Sequence, residues 1–242
     1  MTIKRVFKDL QGLSQAAADL FVTSATQAIA QRGRFLTAFS GGSTPNRLYQ
    51  ILAGAPYRAQ VDWGRVHVFW GDERCVPKDD PGSSYFQAWQ ALLVHVNIPD
   101  ENIHRVQSEL EPAAAALEYA RTLERFSAPP LSWPRFDLVL LGMGDDGHTA
   151  SLFPGSPVDD PSPAIAVTAN YQDRPANRVS LTPRVFNSAH SVLFLVSGSG
   201  KAVTLTRVLS DIPNMDLLPA QRIHPADGEL LWYVDEAAAG NL

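Results

Sequence analysis

The sequence predicts an α/β protein with a mostly parallel central sheet and helices on both of its faces. Short β-rich runs alternate with helical stretches along all 242 residues, which is the pattern of such folds. Two runs, Leu138–Leu141 and Val192–Val196, are continuously apolar, as strands covered on both faces are. We therefore expect these two strands at the centre of the sheet. Hydrophobic residues form 45% of the chain, so a single domain over residues 1–242 is expected.

The individual elements follow from apolar periodicity and from the residues that bound each run. The candidate strands are Arg34–Phe39, Val66–Trp70, Phe136–Leu141, Ala164–Thr168, Arg178–Leu181, Ser191–Val196 and Leu230–Val234. The candidate helices are Leu13–Gln31, a segment opened by Pro45, Ser84–Leu93, Pro112–Phe126 and Lys201–Leu209. Gly33 is suited to end the first helix. Pro45 is suited to open the second, because the first helical turn leaves its N–H groups unbonded in any case.

Composition excludes several functional classes. The net charge of -5 gives no general attraction to nucleic acid or to anionic membranes, so an anionic ligand must be held by local cations. Cys75 is the single cysteine, which excludes an intramolecular disulfide and a zinc site built from several thiolates. No apolar run is long enough to cross a bilayer. We expect a cytoplasmic protein without nucleic-acid or membrane partners.

Four polar loops begin where four predicted strands end. Because the carboxyl ends of parallel strands share one edge of a sheet, we expect these loops to meet in one crevice. The first loop, Ser40–Pro45, contains two adjacent glycines and opens a helix, so its free N–H groups and hydroxyls suit a phosphate. It lacks both the Walker lysine and the G-x-G-x-x-G spacing, which argues against nucleotides. For this loop alone, a capped strand-to-helix turn is an equal alternative.

Cations belong to two further loops and to one strand. Arg74 ends the charged run Asp72–Arg74, where its fixed paired donors suit a carbonyl or carboxylate oxygen; the alternative is an exposed turn whose charges pair with each other. Lys201 ends the loop Ser197–Lys201 at a helix start, where positive charge is unfavourable unless an anion binds. Arg178 begins a predicted strand, and an ordinary surface position is an equal alternative for it.

The loop Gly142–Gly155 carries the most chemistry. It sets His148 and two aspartates among glycines at the end of a strand, and histidine, with an unperturbed pKa of about 6.5, serves as acid and base near neutral pH. The other histidines lack this setting, and we expect structural or surface roles for them. No Cys/His cluster or H-x-x-H spacing indicates a metal, and no G-x-S-x-G elbow precedes His148. The residues favour base-activated water acting on a small phosphorylated molecule.

Five segments, in this order, resemble the motifs of the 6-phosphogluconolactonase family: Phe39–Pro45, Trp70–Pro77, Gly142–Gly155, Arg178–Pro183 and Gly198–Ala202. The resemblance implies a three-layer Rossmann-like fold, shared with glucosamine-6-phosphate deaminases and ribose-5-phosphate isomerases. It also implies hydrolysis of 6-phospho-D-glucono-1,5-lactone to 6-phosphogluconate, the second step of the oxidative pentose phosphate pathway, without a metal or an organic cofactor. The implied partner is a small phosphorylated sugar lactone. A monomer and a homodimer both remain open.

The resemblance also assigns roles to residues of this chain. It implies that His148 activates the water that attacks C1, that Asp146 fixes the imidazole ring, and that Arg74 stabilises charge on the lactone carbonyl oxygen. The expected substrate- and phosphate-binding residues are Ser40, Gly41, Gly42, Ser43, Thr44, Asp72, Arg178 and Lys201. The family commonly has Ser-Asn where this chain has Ser83-Ser84, so we predict no binding role for Ser84.

Two other functions are alternatives to the lactonase. An amino-sugar phosphate deaminase of the same fold resembles this chain at the third loop, but Phe153 stands where the deaminase has a glutamate, and Arg74 replaces its usual tyrosine. A sugar-phosphate sensor would keep the phosphate site and perform no chemistry. Such regulators usually carry a helix-turn-helix or a partner-binding segment, for which we find no spare residues, and they do not need the Asp146–His148 pair. We expect neither alternative.

Overall fold

The structure is a computed structural model that describes residues 2–156, 160–172 and 174–240. Its strands are β1 (Thr2–Phe7), β2 (Phe35–Phe39), β3 (Val66–Trp70), β4 (Asp72–Arg74), β5 (Leu138–Leu141), β6 (Ala164–Thr168), β7 (Asn177–Leu181), β8 (Ser191–Val196) and β9 (Glu229–Asp235). Its α-helices are α1 (Leu10–Arg32), α2 (Ser43–Ala53), α3 (Tyr57–Gln60), α4 (Ser84–Ala91), α5 (Pro112–Glu124), α6 (Pro183–Asn187), α7 (Ala202–Val208) and α8 (Glu236–Ala239).

Six strands form the main sheet, in the order β1-β9-β8-β5-β2-β3. Every neighbouring pair in it is parallel. The two continuously apolar strands, β5 and β8, occupy the middle, and all of β5 is buried. The α/β fold class and the central position of these two strands are therefore confirmed.

The hydrophobic core is divided by the sheet, because successive side chains of a strand point to opposite faces. Leu138 and Leu140 of β5 pack in a cluster with residues of α1 and α2. Val139 and Leu141 join a second cluster with residues of α5 and α7. The helices thus cover both faces of the sheet, which gives the three layers.

A second, smaller sheet contains two of the predicted strands. It is antiparallel, in the order β4-β7-β6, and the alternation of strands and helices in the sequence gives no sign of it. Strands β1 and β4 were not predicted. Most residues of β1 are exposed at the edge of the main sheet, and β4 is a run of three charged residues, so neither shows an apolar run.

The helix ends follow local rules. Asp9 caps α1 by accepting a hydrogen bond from the Gly12 amide at 2.8 Å, and Gly33 ends this helix with φ 75°, as predicted. The prediction that Pro45 opens α2 is wrong by two residues: the helix begins at Ser43, so Pro45 lies inside the first turn.

Among the described residues, no helix combines the length and the apolar character required to span a membrane.

The topology places a crevice between β2 and β5. Strand β3, which follows β2 in the chain, lies on one side of β2 within the sheet. Strand β5 lies on the other side of β2 and leads on to β8. The loops that follow β2 and β5 therefore diverge at the carboxyl edge. Open α/β sheets bind their ligands at such a switch point.

Candidate active site

All four polar loops meet in one cavity at this switch point. Their residues on its wall are Ser40–Pro45, Asp72, Arg74, Gly142–Asp145, His148, Ala150, Ser197 and Lys201. Arg178 of β7 lines the same cavity. Of the residues predicted for the site, Asp146 alone is off the wall, and it contacts His148 directly. Segments distant in the sequence are thus brought together as the parallel-sheet geometry requires.

The loop after β5 holds His148 through Asp146. The Asp146 carboxylate lies 2.6 Å from Nδ1 of His148 and accepts the backbone N–H of the same residue at 3.0 Å. Burial acts to raise the pKa of Asp146, but the hydrogen bonds from His148 outweigh it and the pKa is lowered. An ionised carboxylate on Nδ1 selects the tautomer that leaves Nε2 with a free lone pair. Gly144 is required here, because a Cβ on it would lie 2.1 Å from Nδ1.

Two aromatic rings enclose the imidazole of His148. Its ring centroid lies 4.5 Å from that of Phe153 and 4.6 Å from that of Tyr171, the latter in an edge-on arrangement. The His148 side chain keeps 13% of its surface exposed, at the cavity wall. The two rings also contact each other, at 5.7 Å between centroids, so with Asp146 on one nitrogen the imidazole has little freedom to rotate.

Two buried arginines face each other across the small sheet. Arg74 and Arg178 are directly opposed in the β4–β7 register and are 7% and 2% exposed. Arg74 Nη1 donates to the Gly82 carbonyl at 2.6 Å, and Arg178 Nε donates to the Pro175 carbonyl at 3.0 Å. In the described part of the chain, neither guanidinium forms an ion pair with a carboxylate.

This arrangement is costly without an anion, because opposed like charges repel and buried charges need partners. Burial lowers the pKa of Arg178, Asp72 acts in the opposite direction, and Arg74 lowers it further. Nε of Arg74 and one terminal nitrogen of Arg178 are buried and find no hydrogen-bond partner among the residues that the structure describes. The reading of Arg178 as an ordinary surface residue is therefore wrong, because the side chain is buried opposite a second arginine.

Lys201 completes the cationic lining. It ends the 3-10 turn Ser199–Lys201 before α7, and its ammonium pairs with the carboxylate of Asp145. The hydroxyl of Thr204 donates to the Asp145 carbonyl at 2.5 Å. The loop after β8 is thus fixed to the loop after β5, next to Asp146.

The loop after β2 supplies uncharged donors. Gly42 caps α2 at φ 115°, a conformation that favours glycine, and no side chain caps this helix. The amides of Ser43 and Thr44, the first of the helix, have no acceptor within it. The hydroxyl of Ser40 is buried without a hydrogen-bond partner. Free donors at a helix N-terminus form a ready-made phosphate site.

The charged run after β3 is a buried strand, so the alternative of an exposed turn is wrong. Asp72 accepts the hydroxyl of Ser151 at 2.7 Å. Glu73 is 1% exposed, and its carboxylate accepts hydrogen bonds from the amides of Arg74, Ser84 and Tyr85 and from the Ser83 hydroxyl. Burial acts to raise the pKa of Glu73, against these hydrogen bonds. The run is held by its surroundings, and its charges do not pair with each other.

Three residues on the wall were missed by the sequence analysis: Tyr171, Gln172 and Arg174. They lie on the connection between β6 and β7, and Gln172 donates to Asp145 at 3.3 Å. An arginine and a tyrosine in a short connection between strands were the available signal. That signal can be interpreted only once β6 and β7 are known to pair as a hairpin beside the cavity.

Among the residues described, no group of three or more His, Cys, Asp or Glu is arranged to hold a metal ion.

The parallel sheet, with a cationic cleft and a His–Asp pair at its switch point, defines an α/β protein that handles small anionic molecules. The chain belongs to the glucosamine-6-phosphate isomerase/6-phosphogluconolactonase family, whose model matches residues 8–232. This confirms the resemblance seen in the motifs.

Individual relatives lie in the same family. The 6-phosphogluconolactonase of a Nostoc species is 40% identical over 239 residues, 98% of this chain and 97% of that protein. The structure of 6-phosphogluconolactonase from Trypanosoma cruzi has a TM-score of 0.88 at 27% identity and covers 100% of this chain and 97% of that one. A monomeric glucosamine-6-phosphate deaminase, 19% identical with a TM-score of 0.84 over 98% and 99% of the two chains, shares the fold.

Proposed function

We propose that this chain is a 6-phosphogluconolactonase, which hydrolyses 6-phospho-D-glucono-1,5-lactone to 6-phospho-D-gluconate by general-base activation of water. The observation that carries the proposal is one cavity that holds a His–Asp pair and two buried arginines, neither of which forms an ion pair with a carboxylate of the described residues. The similarity to 6-phosphogluconolactonases over 98% of the chain supports the choice of substrate.

The phosphate group is bound at the end of the cavity formed by the loop after β2. The amides and hydroxyls of Ser43 and Thr44 donate to it, the glycines allow close approach, and Arg178 and Lys201 supply the charge that the helix N-terminus alone lacks. Binding at the phosphate fixes the position of the lactone ring. Attack by water then occurs within a preformed complex and avoids the entropy cost of a free encounter.

At the other end, His148 Nε2 takes a proton from water as the water oxygen bonds to C1. The carbonyl oxygen becomes negative and is stabilised by Arg74, while Asp146 stabilises the imidazolium. The tetrahedral intermediate then collapses, the bond from C1 to the ring oxygen breaks, and the imidazolium returns its proton to that oxygen. A general base contributes about 10²–10⁴-fold, which is a sufficient share for an ester that is already activated.

The environment of His148 argues against the deaminase alternative. The position at which the deaminase has a glutamate is occupied by Phe153, whose ring packs against the imidazole at 4.5 Å. No proton can be exchanged by that side chain. We further propose that the protein acts in the cytoplasm in the oxidative pentose phosphate pathway, as a single domain.

The direct test adds purified protein to freshly generated 6-phospho-D-glucono-1,5-lactone and follows acid release in a pH-stat. We expect hydrolysis far above the spontaneous rate, with Asp211→Asn, which changes an exposed carboxylate outside the cavity, as a fully active control. Acid release at the spontaneous rate by the folded wild type would contradict the proposal and favour a sensor that only binds the sugar phosphate.

A further inference from the structure

One side chain of helix α4 joins two segments beside the cavity, and it shares a small pocket with Gly42 and Arg74. Oε1 of Gln87 accepts the N–H of Gly42 at 3.0 Å, and Nε2 of Gln87 donates to the carbonyl of Pro81 at 2.9 Å. Gly42 is the cap of α2, at the phosphate end. Pro81 precedes Gly82, whose carbonyl receives Arg74 Nη1 at 2.6 Å. A single amide group thus links the loop that binds phosphate to the turn that holds Arg74.

The base of α4 is firmly held, so Gln87 is a fixed connection. The buried carboxylate of Glu73 in β4 accepts the amides of Ser84 and Tyr85 at 2.6 Å and 2.7 Å. The hydroxyl of Ser83 caps the helix by accepting the amide of Phe86 at 3.1 Å. Because these contacts fix the first turn of α4 on the strand that carries Arg74, Gln87 projects from a rigid base.

Ser84, the nearest neighbour of the phosphate loop on this helix, does not make the connection. It is completely buried, and a Cβ placed on Gly41 would lie 2.5 Å from its hydroxyl oxygen, yet that oxygen has no hydrogen-bond partner. Gly41 therefore leaves room for Ser84, and Gln87, one helical turn later, accepts the one hydrogen bond that this helix takes from the loop among the described residues.

We propose that Gln87 is a positioning residue that sets the distance between the phosphate site and Arg74. The proposal rests on the lactonase function, in which the first group binds one end of the substrate and the second stabilises charge at the other. Without the amide, the α2 cap and the turn at Pro81 move independently. Both substrate binding and the alignment of the carbonyl with Arg74 then suffer.

The test variant is Gln87→Met, which keeps the length of the side chain and removes both hydrogen-bonding groups. We expect kcat/KM for the lactone to fall about tenfold, through a higher KM and a lower kcat together, as expected for two lost hydrogen bonds. Inorganic phosphate should also become a several-fold weaker competitive inhibitor, because it occupies only the phosphate site formed by the loop after β2. Gln90→Met is the matched control: Gln90 is exposed on the same helix, outside the cavity, and its replacement should leave all three values unchanged.

The readouts separate positioning from mere stabilisation. A folded Gln87→Met protein with wild-type KM, kcat and phosphate inhibition overturns the proposal, and so does a lower melting temperature accompanied by unchanged kinetics. Gln87→Ala, which introduces no new bulk, should change the kinetics in the same direction and serves if the methionine variant does not fold. If the wild type does not hydrolyse the lactone, the proposed function fails. Phosphate binding measured by calorimetry then decides the role of Gln87: binding weakened by Gln87→Met supports the link, while equal or absent binding in the two proteins overturns it.

Discussion

Two regions of the molecule hold half-buried histidines, and they differ in every respect that matters for catalysis. In the loop after β5, His148 faces a cavity and contacts a carboxylate at 2.6 Å. The second region is at strand β3, on the edge of the main sheet. There His67 and His104 contact each other at 3.2 Å between ring nitrogens, outside that cavity. The same residue type serves the site in one region and the packing in the other.

The difference lies in what surrounds each ring. His104 stacks on Phe69, with ring centroids 4.4 Å apart. Burial, with added repulsion from His67 and Arg125, lowers the pKa of His104 to about 4, and burial together with Arg34 lowers the pKa of His67. Aromatic and cationic neighbours keep this pair neutral near pH 7. His148 instead contacts the carboxylate of Asp146, a group that can stabilise the imidazolium a general base forms during the reaction.

The strongest test of the contrast is His148→Ala. Because the base acts mainly in the transition state, we expect kcat to fall by about 10²–10⁴-fold with little change in KM. Acid release in a pH-stat, corrected for spontaneous hydrolysis, measures both parameters. His224→Ala, which removes an exposed histidine, should retain full activity. Nearly intact turnover in the His148 variant would show that the base is a different residue.

Arg178→Met tests the other end of the cavity. A charge-assisted hydrogen bond contributes about 1.5–3 kcal/mol, so we expect KM to rise roughly 10- to 100-fold and kcat to change much less. The melting temperature of the ligand-free protein should not fall, because the variant removes a buried charge that forms no ion pair within the described part of the chain. Arg184→Met, at an exposed arginine of α6, is the control. An unchanged KM would place the phosphate elsewhere.

Asp146→Asn should have a smaller effect on the same reaction. The amide still fits beside Nδ1 but does not stabilise the imidazolium, so we expect kcat to fall about tenfold, the equivalent of about 1.4 kcal/mol. Steady-state kinetics at pH 7.5 with the lactone measure the loss. If kcat equals that of the wild type, the 2.6 Å contact between the Asp146 carboxylate and Nδ1 of His148 does not contribute to catalysis.

The smallest expected effect on activity comes from the second histidine region. His104 binds fewer protons in the folded than in the unfolded state, so its contribution to stability is complete above about pH 6.5 and is lost as the pH falls towards 4. In His104→Phe, the free energy of unfolding should decline less steeply over this range. Urea unfolding at several pH values measures the slope, and kcat at pH 7 should stay at the wild-type value. Equal slopes in both proteins would mean that His104 is not held neutral by its packing.

Much of the parallel sheet could be predicted from the sequence. The apolar runs of β5 and β8 predict strands covered on both faces, in the middle of the sheet. Gly33 ends α1 because the residue after the helix adopts the left-handed backbone conformation, which glycine tolerates. The small sheet could not be predicted. Its strand β4 is three charged residues that become a strand only by pairing with β7, and no local propensity encodes a partner more than a hundred residues away.

For the site, the chemical types and their positions follow from the order of residues: donors, cations and a histidine lie at the ends of strands that must share one edge. The tertiary structure sets which of the cations are buried and how close they lie to one another. Arg74 and Arg178 are ordinary arginines in the sequence, and only the antiparallel register of β4 and β7 opposes them and buries both. Electrostatic strength depends on burial and on distance, and both are set by the packing of remote segments.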